Sequence, residues 1–365
     1  MISKACVVGA YQKKLEELAR LSDVELTVFV PPSWRDSRGV LRLERAHTAG
    51  YDLQVVPMAL NGHFHLHWYS GLGPRLRALR PDIVHIDEEP YNLATWQAMR
   101  LAHALGARAC FFAWQNLARV YPPPFRWFER YNFRHAAHAL AGSVAAANVL
   151  RRKGYRGPVS VVPQFGVDPE QYRPGEEPKP EGIFVVGYAG GLVPEKGIDV
   201  LLRAAAGLAG PWEVHLAGDG AEGSRLARLA QELGIAERVR FVGRVVPSTA
   251  MPDFYRGLDA FVLPSRSQPN WVEQFGRVLV EAMACGVAVI GSTCGEIPQV
   301  IGDAGLIFPE GNVEALRAHL ARLQSDAALR ADLATRGRAR VLAHYTQARV
   351  AASTYAVYRQ MMENG

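Results

Sequence analysis

Short apolar runs alternate with helix-compatible segments along most of this 365-residue chain. In both halves the order is strand, helix, strand, helix. That alternation indicates parallel β-sheets with helices on both faces, so the predicted fold class is α/β. Strands are predicted at 5–8, 25–30, 53–58, 83–86, 109–114, 139–141, 159–162, 184–188, 213–217, 239–242, 260–263, 288–290 and 305–308. Helices are predicted at 14–21, 94–105, 125–135, 145–152, 200–208, 225–233, 278–284, 313–323, 328–343 and 348–362.

A polar stretch without periodicity divides the two halves. Residues 168–182 hold four prolines and two glycines among 15 residues, which is the composition of a linker. We therefore predict a first domain at 1–167, the linker at 168–182, a second domain at 183–343 and a C-terminal helical segment at 344–365. Open parallel sheets bind ligands at the carboxyl ends of their strands, so we expect the site in the cleft between the two domains.

The composition is that of an ordinary globular protein, with 49% hydrophobic and 21% charged residues. It excludes disordered, collagen-like and coiled-coil chains. The four cysteines show no C-x-x-C spacing, so neither a disulfide framework nor a zinc site is indicated. No window reaches about 18 uninterrupted apolar residues, and the first residues lack the features of a signal peptide. We expect a cytoplasmic protein, with peripheral contact to the inner face of a membrane as an open alternative.

Positive charge is concentrated in the first half. Residues 1–180 carry 23 Lys and Arg against 16 Asp and Glu, a balance of +7, whereas the remaining residues carry 18 against 19, a balance of −1. A basic half attracts an acidic substrate, an anionic membrane surface or nucleic acid. The alternative interpretation is solubility in an arginine-rich chain. Of the three partners we expect an anionic or lipid-linked one and no nucleic acid.

The most informative motif follows the predicted strand 260–263 and runs into a helix. It reads PSRSQPNWVEQFGRVLVEAMACG, with Glu273 in the loop and Glu281 eight positions later on the helix. A helix start at Gly276 offers unpaired N–H groups and a partial positive charge, which suit a phosphate. The two carboxylates can accept hydrogen bonds from sugar or ribose hydroxyls. The alternative, two solvated glutamates, does not account for the longer pattern of E-x-F-G-x-x-x-x-E-A-M-A-x-G.

This pattern strongly resembles the E-x7-E signature of the retaining family-four glycosyltransferases. That resemblance implies a GT-B fold: two Rossmann-like domains face each other across a cleft, and a C-terminal helix crosses back to the first domain. Further segments that resemble the family's motifs are VVPQFGVD at 161–168, GGLVPEKG at 190–197, FVGRV at 241–245 and, more loosely, 295–298 with 303–305.

The resemblance implies a retaining transfer of sugar from a nucleotide-diphosphate sugar, such as a UDP or GDP sugar, to an acceptor hydroxyl in glycolipid, polysaccharide or glycoside synthesis. No metal or other cofactor is implied. The implied catalytic residues are Lys196 and Glu273. The implied donor-sugar contacts are Glu273, Gln274, Phe275, Gly276 and Gln115. The implied nucleotide contacts are Glu281, Gly276, Arg277, Val278, Val242, Arg244, Val245 and Gly9.

The chain departs from the family pattern at three places. Gly191 stands where the family has an arginine beside the motif lysine, and Arg277 and Arg266 are the candidates to supply that charge. Gln115 or Asn116 stands where the family has a histidine, so the side chain there can donate hydrogen bonds but cannot act as a base. Only Gly9 remains of the first domain's glycine-rich loop.

Polar residues after the strand 83–86 are candidates for binding the acceptor. Asp87, Glu88 and Glu89 follow that strand directly, and we expect repulsion among three carboxylates to raise the pKa of one of them. Glu88, Glu89 and Asn116 are the acceptor residues that we predict. A solvated acidic turn is the equally simple alternative.

Two other clusters have a functional and a structural interpretation. His63, His65 and His67 would share one face of a strand and could bind a metal, but no carboxylate or cysteine accompanies them, so we expect no metal site. The segment 121–134 carries three arginines at intervals of four among aromatic residues. It suits anionic lipid headgroups, or it is a packed helix with a solvated basic face.

Two rival functions remain. GDGAEG at 218–223 is a literal G-x-G-x-x-G between a predicted strand and a helix, which would suit an NADP-dependent oxidoreductase. The acidic residue that normally follows the next strand is absent, since Arg244 stands there. A catalytically decayed sugar-nucleotide-binding protein would account for Gly191 and Gln115.

Overall fold

The computed structural model describes residues 1–36, 39–176, 182–245 and 250–363. The chain divides into two units, each with its own sheet and core. Unit 1 comprises Met1–Gly166 and Gln347–Gly365, and unit 2 comprises Val167–Thr346. None of the helices in the described part of the chain has the length and apolarity needed to cross a lipid bilayer.

Up to residue 166, the described residues of unit 1 form ten strands and five helices. The strands are β1 Thr27–Val30, β2 Ser33–Asp36, β3 Gly39–Arg42, β4 Asp52–Val55, β5 Met58–Ala59, β6 Trp68–Tyr69, β7 Ile83–Ile86, β8 Arg108–Ala113, β9 His138–Ala141 and β10 Val159–Val161. The helices are α1 Lys13–Ala19, α2 Leu72–Leu79, α3 Leu93–Ala104, α4 Phe125–His135 and α5 Val144–Arg152.

A parallel sheet forms the centre of unit 1. Strands β10, β9, β8 and β7 pair in that order, and β1 pairs with β4. Ile2 joins the two parts, because it bridges Ile86 of β7 on one side and Phe29 of β1 on the other. β8 and β9 are almost entirely buried, as expected for parallel strands covered by helices on both faces.

The first predicted strand is wrong. Residues Ala5–Val7 form a short 3₁₀ helix, and the strand position is taken by the residues before it. The backbone N–H of Ile2 donates to the carbonyl of His85 (2.9 Å), and the N–H of Phe29 donates to the carbonyl of Met1 (2.8 Å). A short apolar run fits a buried strand and a buried helical turn equally well, so the apolar residues alone could not locate the strand.

The described residues of unit 2 form six strands and seven helices. The strands are β11 Phe184–Ala189, β12 Trp212–Ala217, β13 Val239–Gly243, β14 Ala260–Leu263, β15 Ala288–Ser292 and β16 Leu306–Phe308. The helices are α6 Ile198–Ala205, α7 Gly223–Glu232, α8 Met251–Arg256, α9 Arg277–Ala284, α10 Ile297–Ile301, α11 Val313–Ser325 and α12 Ala327–His344.

The sheet of unit 2 has the order β13-β12-β11-β14-β15-β16, and every pair is parallel. In chain order, β12 and β13 follow β11 on one side of the sheet, and β15 and β16 follow β14 on the other side. In open α/β sheets the loops after the two central strands diverge at this switch point and leave a crevice for a ligand. The two loops concerned here are 190–197, after β11, and 264–276, after β14.

Two segments outside these sheets complete the units. Helix α13, Gln347–Glu363, belongs to unit 1, where Val350, Val357 and Met361 pack with Cys110 of β8. In the predicted linker, residues 177–181 lie outside the described residues. Tyr172 of the same segment is buried in the core of unit 2, and Arg338 donates hydrogen bonds to the carbonyls of Tyr172 and Pro169 (2.5 and 3.1 Å).

Candidate active site

The loop after β11 packs directly against the start of the loop after β14. Pro194–Lys196 forms one 3₁₀ turn, and Gly197 follows it with a φ of +64°. A Cβ on Gly197 would lie 2.1 Å from the carbonyl oxygen of Pro264, so only glycine fits this approach. The N–H of Arg266 also donates to the carbonyl of Glu195 (2.7 Å). This packing fixes Lys196 at the carboxyl end of β14.

Lys196 and Glu273 form an ion pair at this point. The Lys196 Nζ lies 2.6 Å from Glu273 Oε2, and the Ser265 hydroxyl donates to the same oxygen at 3.0 Å. The Lys196 ammonium also lies 4.8 Å from the centre of the Trp271 ring. Glu273 is only 8% exposed. An ammonium and a carboxylate thus occupy the switch-point crevice together, although 77 residues separate them in the chain.

The residues after β15 hold the backbone of Glu273. The N–H of Glu296 donates to the carbonyl of Glu273 at 3.1 Å. Gly295 has a φ of +57°, and a Cβ there would lie 2.1 Å from the same carbonyl oxygen. Segment 295–298, which resembles a family motif only loosely, is therefore placed to position Glu273. Gln274 beside it is exposed, and the Phe275 ring packs edge-on against Tyr345 at a centroid distance of 5.7 Å.

Helix α9 begins immediately after Gly276. Gly276 adopts a φ of +77°, and a Cβ would crowd Leu263 and Leu279 at 3.0 and 3.1 Å. Gly276 has no side chain with which to cap this helix, and the N–H groups of a first helical turn carry partial positive charge that suits an anion. Because the helix start follows Glu273 by three residues, the carboxylate and the N–H groups of the first turn belong to one short stretch of chain, and the Lys196 ammonium reaches the carboxylate from the loop after β11.

Glu281 occupies the second turn of α9. Its Oε1 lies 2.8 Å from the Arg277 Nε, and its Oε2 accepts a hydrogen bond from the Tyr255 hydroxyl at 2.8 Å. Burial raises the pKa of Tyr255, and the Glu281 carboxylate adds to that rise, so the phenol keeps its proton and donates. Both carboxylate oxygens therefore have protein partners, and the ribose contact remains a prediction.

The stretch assigned to the nucleotide base lies at the end of the edge strand β13. Val242 and Arg244 are exposed and Val245 is half-buried. Gly243 has a φ of +74°, and its carbonyl accepts from the N–H of Gly218 at 2.8 Å. Residues 246–249, which follow this stretch, lie outside the described residues.

In unit 1, a carboxylate covers the predicted nucleotide contact at Gly9. The N–H of Gly9 donates to Glu44 Oε2 at 2.6 Å, and a Cβ on Gly9 would lie 2.7 Å from the Ala46 Cβ. An anion can reach this N–H only if Glu44 moves. The contact of Gly9 with a nucleotide remains a prediction.

The two acidic acceptor candidates of unit 1 have different surroundings. Glu88 is buried, forms an ion pair with Lys4 and lies 3.5 Å from the His67 Nε2. Burial alone would raise the pKa of Glu88, but Lys4 and His67 hold that pKa at about 2. Burial raises the pKa of Glu89 to about 7, although the Trp114 N–H donates to its Oε1 at 2.8 Å. The surroundings of Glu88 therefore favour its charged form, whereas the burial of Glu89 favours its protonated form.

Gln115 follows β8 and has a charged partner. Its Oε1 accepts from the Lys153 ammonium at 2.9 Å, and its Nε2 donates to the Tyr121 hydroxyl at 3.4 Å. Asn116, the next residue, is half-buried. Lys153 was not predicted from the sequence, because nothing in the local pattern joins residues 38 positions apart.

The three histidines of 63–67 lie in a turn, so they do not share one face of a strand. His65 packs among aromatic rings, with Phe125 at a centroid distance of 5.2 Å. The His67 Nδ1 lies 3.3 Å from the carbonyl of His63. Within the described residues, no three His, Cys, Asp or Glu side chains are grouped so as to hold a metal.

Two family models match this chain one after the other. The model described as "Glycosyl transferase 4-like domain" matches residues 9–164, and the model described as "Glycosyl transferases group 1" matches residues 171–340. The chain is also 32% identical over 339 residues to a D-inositol 3-phosphate glycosyltransferase of Mycobacterium ulcerans, covering 88% of this chain and 67% of that protein. This chain belongs to the group 1 glycosyl transferases.

Two further similarities agree with membership of the glycosyltransferase family. A 2-deoxystreptamine N-acetyl-D-glucosaminyltransferase of Streptomyces fradiae is 28% identical over 276 residues, covering 68% of this chain and 63% of that protein, just under two thirds of its length. An Anabaena protein solved in complex with UDP has a TM-score of 0.72 at 18% identity, with 98% of each chain covered. That structure supports the fold alone. The predicted family and the α/β fold of GT-B type with two Rossmann-like sheets are confirmed.

The two arginines that could replace the missing family arginine both have other contacts. The Arg266 Nη2 donates to Asp199 Oδ1 at 2.9 Å and to the carbonyl of Pro194 at 3.1 Å. The Arg277 Nε is paired with Glu281. At Gly191 there is open space, because a Cβ would meet only a Val193 methyl at 3.9 Å. Among the described residues of this crevice, Lys196 is therefore the cation in contact with Glu273.

Backbone packing explains the glycines of the G-x-G-x-x-G segment at 218–223. A Cβ on Gly218 would lie 1.9 Å from the carbonyl oxygen of Gly190, and one on Gly220 would lie 2.4 Å from that of Leu192. These two glycines let the loop after β12 lie against the loop after β11, which carries Lys196. The family comparisons give no support to the oxidoreductase alternative.

We expect Gly218→Ala to destabilise unit 2 by at least about 2 kcal/mol, because the new methyl meets a carbonyl oxygen and the backbone φ of +142° is strained for alanine. Gly191→Ala, where a Cβ has room, is the matched control and should unfold like the wild type. Urea unfolding of both variants measures the difference. Equal stability of the two variants would contradict the packing role of Gly218.

Sequence reasoning missed two side chains that support the Lys196–Glu273 pair. Ser265 donates to the shared carboxylate oxygen and is fully buried. Trp271 presents its ring to the ammonium. The signal available for Ser265 was its position, because it lies two residues beyond a buried strand of a parallel sheet, where binding residues gather. Trp271 gave no comparable signal, since the loop 264–276 has no regular pattern.

Proposed function

We propose that this chain is a retaining glycosyltransferase that moves a sugar from a nucleoside diphosphate sugar to an acceptor hydroxyl. The observation that carries the proposal is the contact between Lys196 and Glu273 at the switch point of the unit 2 sheet. A cation and a buried carboxylate in contact there match the two demands of a sugar nucleotide: a diphosphate to neutralise and hydroxyls to bind.

In the proposed reaction the bond between the anomeric carbon and the diphosphate oxygen breaks, and a bond forms between that carbon and the acceptor oxygen. Lys196 and the N–H groups at the start of α9 stabilise the negative charge that develops on the departing diphosphate. Glu273 accepts hydrogen bonds from sugar hydroxyls and positions the ring. The acceptor proton passes to the departing phosphate oxygen on the same face, so the configuration is retained and no protein base is needed.

Similar proteins support a nucleotide sugar as the donor. The Anabaena protein was solved in complex with UDP and also with UDP-glucose. Here we propose that unit 2 binds the diphosphate without a metal, because Lys196 and the α9 start already offer positive charge to it. We propose the ribose contact for Glu281 and the base contacts for Val242, Arg244 and Val245.

The acceptor is proposed to bind unit 1. Two similar proteins are named for inositol 3-phosphate and for 2-deoxystreptamine, so both compounds belong in the acceptor panel. Inositol 3-phosphate is consistent with an anionic acceptor for the basic half of the chain.

The test begins with thermal-shift screening against UDP, GDP and ADP sugars, followed by transfer of radiolabelled sugar from the stabilising donor to the acceptor panel. We expect one donor to raise the melting temperature and one acceptor to become labelled. Proton NMR of the product then reports its anomeric configuration. A configuration opposite to that of the donor would contradict retention. Binding of a donor without transfer or hydrolysis would instead favour the decayed sugar-nucleotide-binding protein.

We also propose that the outer face of α4 contacts an anionic membrane and that the protein is cytoplasmic. Arg126, Arg130 and Arg134 are exposed on this face. Trp127 beside them is 61% exposed, and Val120 in the preceding loop is 85% exposed. Exposed arginines next to an exposed tryptophan and valine complement an anionic headgroup layer above an apolar interior.

The one acidic residue of α4 does not weaken this basic face. Glu129 is buried and is paired with Lys153 on the inner side of the helix. The outer face therefore presents positive charge without a compensating carboxylate from its own helix. A protein bound to a membrane through this surface would lie next to a lipid-linked acceptor.

We expect R126E/R130E to lose binding to vesicles containing phosphatidylglycerol, because each basic residue at an anionic surface contributes about 1 kcal/mol. R228E/R322E, which reverses two exposed arginines of unit 2, is the control with the same net charge. Co-sedimentation with anionic and with phosphatidylcholine vesicles measures the binding. A membrane contact through α4 would be contradicted if both variants lost binding to the same extent. It would also be contradicted if the wild type did not bind anionic vesicles.

A further inference from the structure

Lys153 is held by three kinds of contact in unit 1. Its ammonium donates to Gln115 Oε1 at 2.9 Å, forms an ion pair with Glu129 and lies 4.8 Å from the centre of the Tyr121 ring. The Lys153 side chain is only 11% exposed. A nearly buried cation of this kind cannot rotate freely among solvent partners, so its contact with Gln115 is a fixed feature of the unit.

The contact with Lys153 sets the orientation of the Gln115 amide. An ammonium group only donates hydrogen bonds, so the amide must present its oxygen to Lys153 and its NH₂ group to the other side. One N–H of that group reaches the Tyr121 hydroxyl at the long distance of 3.4 Å. The described residues provide no second acceptor for Nε2. Gln115 therefore presents an N–H donor of defined direction at the carboxyl end of β8.

The backbone that carries Gln115 is fixed as well. Glu89, at the end of the neighbouring strand β7, accepts a hydrogen bond from the N–H of Trp114 at 2.8 Å. The side-chain nitrogen of Trp114 in turn donates to Gln164 Oε1 at 2.7 Å. The strand end and the side-chain amide are thus held by separate partners, as expected for a group that must bind a substrate in one orientation.

We propose that Lys153 is a positioning residue that orients Gln115 so that its N–H donates to a lone pair of a substrate oxygen, which belongs to a hydroxyl or a phosphate group. The proposal rests on the proposed transferase function. It adds that the oriented amide of Gln115 binds substrate at the position where the family has a histidine. A neutral amide held in this way recognises an oxygen at any pH near neutrality, whereas a histidine there would lose or gain a proton.

The test compares transfer kinetics among variants of this cluster. Lys153→Met should lower kcat at least about 10-fold, because the amide can then turn its oxygen toward the substrate. Lys153→Arg keeps a donor toward Gln115 and should restore most of the rate. Gln115→Glu keeps the contact with Lys153 and removes the N–H donor, so it should lose activity while remaining folded. In a Gln115→Ala background, Lys153→Met should have no further effect.

Two controls separate positioning from stability. Glu129→Gln breaks the ion pair but leaves the Lys153–Gln115 contact, and should retain nearly wild-type kinetics. Because Lys153→Met alone leaves Glu129 buried without its partner and could impair folding, Lys153→Met/Glu129→Gln provides a second variant without that unpaired charge. In every folded variant, the thermal shift caused by the donor nucleotide should equal that of the wild type.

The proposal would be overturned if Lys153→Met/Glu129→Gln had the kcat and KM of the wild type. It would also be overturned if the effect of Lys153→Met persisted in full in the Gln115→Ala background. A Gln115→Glu variant that remained active would be the third contradicting result. Failure of the proposed function looks different, because then the wild type itself transfers no sugar from any nucleotide sugar, and the role of Lys153 falls with it.

Discussion

Replacing Lys196 or Glu273 with alanine is expected to lower turnover at least ~100-fold, the scale of losing one positioned electrostatic group in a catalytic site. Without Lys196, the charge on the departing diphosphate loses its contacting ammonium. Without Glu273, the sugar loses its carboxylate acceptor and Lys196 loses the partner that holds it at 2.6 Å. Initial rates of transfer at saturating donor measure both effects.

A matched control for these variants is available on helix α11. Glu314 and Arg317 form an exposed ion pair at 2.9 Å, so Glu314→Ala also removes one carboxylate from a pair but should leave turnover unchanged. Circular dichroism must show that the Lys196→Ala and Glu273→Ala variants are folded. If both folded variants turned over at nearly the wild-type rate, neither residue would belong to the site.

Glu89→Gln is expected to make the protein more stable at pH 8 by up to about 3 kcal/mol, with little change at pH 4.5. The pKa of Glu89 is raised to about 7 by burial, so the folded state keeps a proton that the unfolded state releases at lower pH. Its favourable contribution is present below the unfolded pKa and is lost as the pH rises through 7. Glutamine keeps the shape and the acceptor oxygen without the charge.

Glu88→Gln provides the opposite case on the adjacent residue. The pKa of Glu88 is held at about 2, so its contribution is present above the unfolded pKa and is lost as the pH falls through 2. Glu88→Gln should therefore destabilise the protein at pH 7, by a similar magnitude, and leave Lys4 without its charged partner. Chemical unfolding across pH 4 to 8 measures both variants. Parallel pH profiles for the two would refute the assigned environments.

The regular parts of the fold were predictable because their residues are continuously apolar. Strands such as β14 are buried on both faces, and their sequence runs show it directly. The first strand was not predictable in this way. Its position is taken by the residues around Ile2, and Ile2 is joined to β1 and to β7 by one bridge each. The two-stranded antiparallel pairs β2–β3 and β5–β6 were also missed, since strands of two to four residues leave little pattern.

The site was predictable only in part. Local sequence placed Gly276 at a helix start with Glu273 before it, and the structure has both. Nothing local joined Lys196 to Glu273, and the family resemblance alone brought them together. The Gln115–Lys153 contact had neither a local pattern nor a family motif to indicate it. Contacts between residues far apart in the chain depend on how the loops pack, which is determined by glycines such as Gly197 whose role is visible only in three dimensions.

The most direct test of the central claim is a crystal structure of the protein with its donor nucleotide sugar bound. The account predicts diphosphate oxygens within hydrogen-bond distance of the Lys196 ammonium and of the first N–H groups of α9, with a sugar hydroxyl on Glu273. A nucleotide seated instead on the glycine loop 218–223, with Lys196 and Glu273 still paired to each other, would contradict it.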